Sequence, residues 1–162
     1  MAKKAISFMK EKGFIKVWNS RQKTGATTRQ AWSDGRILVW DGLPWEFDLP
    51  VGSYVYEPKG GIIKPGKIPN LKSEIPKQTG YHRVEPVFEY NLLKLLKRDS
   101  FLLVTLKGKG VRAFLKYDYY QYITEKAYQT VTWKVKSGHD PILFLIDKYI
   151  CGAVMPYDLN IT

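Results

Sequence analysis

The chain has 162 residues, with 26 Lys+Arg against 15 Asp+Glu and a net charge of +11, which allows one domain or two very small ones. A chain of this size buries about 70% of its unfolded surface, so a core forms without covalent staples. The single cysteine, Cys151, excludes an intrachain disulfide and a Cys-rich zinc module, and no apolar run reaches the roughly 18 residues of a membrane span.

Ala2 to Lys12 reads as a short helix, with Ala5, Ile6 and Met9 at helical spacing and Gly13 as its stop. Phe14 to Trp18 is rich in β-branched and aromatic residues and reads as a strand, with Asn19 to Thr28 as a polar loop at the tip of a hairpin. Phe14 and Trp18 are expected to point into the core and Lys16 outward. Arg29 to Trp32 and Ile37 to Trp40 form strands around the Ser33-Asp34-Gly35-Arg36 turn. Residues 41–80 hold most of the prolines, so short edge strands at Ser53–Tyr56 and Ile62–Ile63 are expected there.

Asn91 to Lys97 has the composition of a second helix. Phe101 to Leu106 and Val111 to Leu115 flank Lys107-Gly-Lys-Gly110, a hairpin signal. Asp118 is the expected N-cap of a third helix running to about Gln129. Val131–Val135, Ile142–Ile146 and Ile150–Val154 are strands, the last two joined by Asp147-Lys148. The expected fold class is α+β, antiparallel sheets with two or three short helices. One compact unit is expected, with two small halves, 1–68 and 77–162, joined by a Pro-rich segment as the alternative.

Charge is unevenly spread. Residues 1–30 carry eight basic side chains against Glu11 alone, whereas residues 31–60 carry two basic and five acidic ones. Such a field attracts polyanions, nucleic acid first and an anionic membrane surface second. The first residues lead into no apolar stretch, so no signal peptide and a cytoplasmic location are expected. No membrane partner is expected.

Catalytic patterns are absent. His139-Asp140 with Cys151 is the one conceivable nucleophile arrangement, but Cys151 lies in an apolar strand where free cysteines are inert core. Asp34, Asp41, Glu46 and Asp48 form an acidic cluster that reads as solvated rather than as a magnesium site. No enzyme, no metal and no cofactor is expected.

Three segments resemble the DNA polymerase sliding clamps of bacteria and their phages. Arg29-Gln-Ala-Trp-Ser-Asp-Gly-Arg-Ile-Leu38, with Leu49-Pro50 and Gly60-Gly-Ile-Ile63 after it, is similar to the clamp strand entering T-D-G-H-R-L. Pro69-Asn-Leu-Lys-Ser-Glu-Ile-Pro76 is similar to the inter-domain F-P-D-Y-x-x-V-I-P. Phe114 to Glu125, Asp140 to Phe144 and Gly152-Ala-Val-Met-Pro-Tyr-Asp-Leu159 resemble the clamp's end, with its terminal V-M-P-M-R-L.

The resemblance implies a clamp-like fold and a non-enzymatic replication processivity factor of phage or mobile-element type. It implies an apolar peptide groove with Gly35, Arg36 and Leu38 on one wall and Val154, Met155, Pro156 and Leu159 on the other. Polymerases or other replication proteins would supply the peptide. DNA phosphates would be met by Lys3, Lys4, Lys10, Lys12, Arg21, Lys23 and Arg29, with Lys94, Lys97 and Arg98. Clamp subunits are longer, so a ring of this chain implies a homo-oligomer. The alternatives are a small basic single-strand-binding accessory protein and a phage protein that inhibits a host factor.

Overall fold

Strand-forming runs dominate the folded chain. A computed structural model describes residues 3–10, 12–22, 25–44, 46–70, 76–87 and 103–158, with backbone alone for 20–22 and 25–28. In chain order these are β1 (Gly13–Gln22), β2 (Gly25–Ser33), β3 (Ile37–Val39), β4 (Gly52–Glu57), β5 (Ile62–Pro65) and β6 (His82–Val87). They continue with β7 (Leu103–Gly108), β8 (Val111–Lys116), the helix α1 (Tyr117–Lys126), β9 (Val131–Val135), β10 (Ile142–Ile146) and β11 (Tyr149–Val154). The eleven strands join in one sheet of order β5-β4-β1-β2-β3-β11-β10-β9-β6-β7-β8, and every pairing is antiparallel.

The expected α+β class with two or three helices is therefore overturned. The fold is largely β, with one α-helix among the described residues. The expected helix over Ala2–Lys12 is a single 3-10 turn, Ala5–Phe8. Ala5 and Phe8 are buried three residues apart, the spacing at which a 3-10 turn aligns side chains, while Ile6 is exposed. The expected helix over Asn91–Lys97 lies outside the described residues. Asp118 is not the cap of α1; Lys116 holds that position and Asp118 sits in the first turn.

The hairpin expected at the polar stretch Asn19–Thr28 forms, but its strands reach further than expected: β1 and β2 pair without interruption from Phe14↔Ser33 to Gln22↔Gly25. β6 contains Pro86, which would interrupt a central ladder. The strand avoids that conflict by changing neighbours. His82–Val84 pair with β9, and Glu85–Val87 pair with β7.

Beyond β11, Tyr157 bridges to Phe114 of β8, its N–H donating to the Phe114 carbonyl at 2.8 Å. The strands from β11 to β8 thus curl until their far edge meets the end of the chain that began the curl. α1 packs into the concave side, burying Tyr119, Tyr122 and Ile123. Phe8 stacks on Tyr119 at 5.2 Å and meets Tyr122 edge-on at 4.8 Å, and Trp32 meets Tyr122 at 5.6 Å. One cluster from Ala5 to Val154 forms this core.

On β1 the core receives Ile15 and Val17. Phe14, Lys16 and Trp18 share the other face, because residues two apart point the same way. The expectation that Phe14 and Trp18 point inward while Lys16 points out is overturned by that parity. Trp18 instead packs on Trp40, with centroids 4.8 Å apart, in a separate cluster with Ala31, Leu38, Phe14 and Ile68.

Candidate functional site

The site is built around the turn between β2 and β3. Asp34 is 3% exposed, and its Oδ1 accepts from the N–H groups of Arg36 and Ile37, both at 2.8 Å. Its Oδ2 accepts from the Tyr119 hydroxyl at 2.7 Å, so the turn is tied to α1 as well. Ser33 Oγ accepts from Gly35 N–H at 3.0 Å, and Gly35 has φ of +95°, where a side chain would be strained. A turn held at both carboxylate oxygens presents Gly35 and Arg36 to solvent in a fixed pose.

β3 lies beside β11, and their register decides which side chains face outward. Leu38 pairs with Ala153, and Ile37 pairs with Val154. Leu38 and Ala153 therefore belong to the convex face, while Ile37 and Val154 are fully buried in the main core. Past the strand end, Met155 N–H donates to the Arg36 carbonyl at 2.7 Å, which seats the half-exposed Met155 beside the turn.

A groove of about 370 Å³ runs along this junction. Phe14, Leu38, Ala153 and Met155 give it apolar walls, with Pro69 and Pro141 alongside, and Lys12 and Arg36 at its margin. Gly35, Arg36, Leu38 and Met155 are thus brought together from segments over a hundred residues apart in the chain. Val154 does not line the groove, because strand alternation turns it inward. Pro156 is half-buried and also lies off the lining, and Leu159 falls outside the described residues. Phe14, Ala153 and Pro69 were not among the expected groove residues. Ala153 was readable, since it alternates with the inward-facing Val154 on one strand.

Among the described residues, the expected DNA-contacting side chains fall at several places. Lys3 pairs with Asp118 at 3.2 Å, and both are about half exposed, a pairing worth about 0–1 kcal/mol. Lys3 and Lys10 border a second, polar depression together with Arg36. Lys12 borders the groove. Lys4 lies apart, beside Glu46 and Asp48. Arg29 is ion-paired with Asp41. Arg21 lies on β1 with only its backbone described, and Lys23, Lys94, Lys97 and Arg98 fall outside the described residues. α1 carries Lys126 as its one basic residue, and that lysine is paired with Glu46 at 3.0 Å.

The acidic cluster is dispersed into these roles. Asp34 holds the turn, Asp41 pairs with Arg29 and Glu46 with Lys126, and no group of three metal-ligating side chains occurs among the described residues. His139 Nδ1 meets Asp158 at 2.7 Å, whereas Cys151 Sγ donates to the Tyr149 carbonyl at 3.3 Å. Burial pushes the Cys151 thiol up to about 11, with the Asp41 charge adding to it and a backbone hydrogen bond from Ile146 opposing it. That is the reverse of an activated nucleophile. Native protein is expected to leave a disulfide reagent unconsumed at pH 8 and to react fully once unfolded in urea. Rapid labelling of folded protein would contradict this.

No helix among the described residues is long and apolar enough to cross a membrane. No protein-family model matches the chain, and no curated protein and no solved structure matches it.

Proposed function

We propose that this chain is a non-enzymatic, cytoplasmic accessory factor of DNA replication that tethers a partner's linear peptide beside nucleic acid, the role of a processivity factor. The observation that carries the reading is the groove at the β3–β11 junction, where Gly35, Arg36, Leu38 and Met155 come together. Methionine and leucine walls adapt to apolar peptide side chains. Lys12 and Arg36 at the margin select a peptide that combines leucine or phenylalanine with an acidic residue. A polymerase or another replication protein is the partner class, and self-association into a homo-oligomer is the state that would enclose DNA. Phosphate contact rests on the basic residues beside the groove rather than on α1, whose exposed face is not basic.

The test uses a fluorescein-labelled short peptide containing leucine, phenylalanine and aspartate, followed by anisotropy. Met155→Ala is expected to weaken its binding several-fold, because it removes part of the apolar wall of the groove without changing charge. DNA binding by that variant is expected to stay within about two-fold. Equal loss of both activities would overturn the reading.

One observation favours a second reading, a single-strand-binding accessory protein. Trp18 and Trp40 form a half-buried pair on the convex face, with Lys16 on the same side of β1. Bases stack on such platforms. Quenching of tryptophan fluorescence by oligothymidine, lost in Trp18→Ala, would favour it over the tether.

A further inference from the structure

Beside the groove, and sharing Arg36 with it, lies the polar depression of about 200 Å³. Four cationic side chains reach it from four places in the chain: Lys3 before the 3-10 turn, Lys10 after it, Arg36 from the β2–β3 turn and Lys116 from the end of β8. Two carboxylates also border it. Asp34 is committed to two backbone N–H groups and the Tyr119 hydroxyl, and Asp118 is paired with Lys3. Among the described residues, cationic side chains outnumber carboxylates at this small concave site. The stacked pair Phe8 and Tyr119, almost entirely buried, also lines it.

We propose that this pocket binds a phosphate monoester in its dianionic form. An excess of cations favours a monoester, whose second proton is largely lost at neutral pH, over the single charge of an internal phosphodiester. Arg36 supplies a planar fork of donors and the lysines supply point charges, the usual division of labour at phosphates. The first turn of α1 lies at the pocket's edge and adds to its positive field, although the side chains carry the argument. The phosphate could come from the end of a nucleic-acid strand or from a small molecule. The strand end is preferred on the strength of the tether reading above, on which this part rests.

The experiment compares a 3′-labelled oligothymidine bearing a 5′-phosphate with its 5′-hydroxyl twin at fixed salt, and titrates inorganic phosphate separately. The phosphorylated strand is expected to bind about ten-fold tighter, with inorganic phosphate competing. The double variant Lys10→Gln, Lys116→Gln should erase that preference. The charge-matched control Lys59→Gln, Lys67→Gln, at exposed positions off the pocket, should keep it. Circular dichroism confirms that both variants fold. Phosphate binding that is lost in the pocket variant, without binding of either strand, would keep the pocket and overturn the nucleic-acid reading. Equal binding of both strands, weakened equally by the two double variants, would overturn the pocket and leave a diffuse field. Binding of neither strand nor phosphate would overturn both.

Discussion

Gly152→Ala is expected to destabilise the fold by about 3 kcal/mol or more, read as a lower urea midpoint at unchanged slope. A Cβ at position 152 would lie 2.0 Å from the Leu38 carbonyl oxygen and 2.5 Å from a ring carbon of Phe144. The first of those neighbours is backbone, and no rotamer change relieves it. Gly152 also pairs with Val39 on one side and Phe144 on the other, next to the register shift between Phe144 and Leu145. It therefore sits at the seam where the strands of the N-terminal half join those of the C-terminal half. Opening that seam separates Leu38 from Ala153 and dismantles the groove along with the sheet. Gly110→Ala is the comparison: nothing lies within 4 Å of its Cβ, and the cost is only that of φ at +77°, about 1 kcal/mol. If the two variants were equally stable, close approach would not be the reason for glycine at position 152.

What the sequence discloses here depends on whether side chains or backbone pairing hold a segment. Ile142–Ile146 is an unbroken apolar run whose five residues are all buried in the structure, and its bounds were readable to the residue. Val131–Val135 was equally plain. The Asp147-Lys148 turn was also legible, and both residues take the positive φ that a tight hairpin demands. By contrast, the second half of β1 and the start of β2 read as polar loop, because their pairing is backbone to backbone. β6 was hidden by Pro86, whose compatibility depends on which half of the strand has which neighbour. The helix expected at Ala2–Lys12 failed because one buried turn satisfies Ala5 and Phe8 equally well in 3-10 form.

The site shows the same limit. Gly35, Arg36, Leu38 and Met155 were singled out together through resemblance, and their convergence follows from β3 lying against β11, a long-range pairing that no local pattern encodes. The inward turn of Val154 was available from alternation alone. In the sequence the basic residues concentrate in the first thirty positions and the expected groove residues lie elsewhere. The folded chain makes them neighbours, because Arg36 borders both depressions. In the proposed tether, that adjacency lets one arginine serve phosphate on one side and peptide on the other.

Glu46→Ala is expected to cost about 3 kcal/mol, through loss of a buried acceptor that serves three donors. Glu46 Oε2 accepts from Ala5 N–H at 2.8 Å and from the Tyr122 hydroxyl, and Oε1 pairs with Lys126 at 3.0 Å. Ala5 and Tyr122 are at most 1% exposed, so water cannot replace the carboxylate at either donor without opening the core. One side chain thereby ties the N-terminal turn, and the lysines that flank it, to α1. The same contact has a signature in pH. Burial first, then the hydrogen bond to Glu46 and its charge, push the Tyr122 phenol far above its ordinary value of 10.0. The folded state therefore keeps a proton that the unfolded chain releases near pH 10, so Tyr122 contributes its full stability below that pH. Above it stability falls, by up to about 1.4 kcal/mol per pH unit from this group. Tyr81 and Tyr120, also raised by burial, act in the same direction and are only partly buried. Tyr122→Phe should lower stability at pH 8 yet show a shallower decline between pH 10 and 11, measured by urea unfolding. An unchanged alkaline slope in that variant, or a Glu46→Ala protein as stable as the parent, would mean that this network does not hold the N-terminal turn in place.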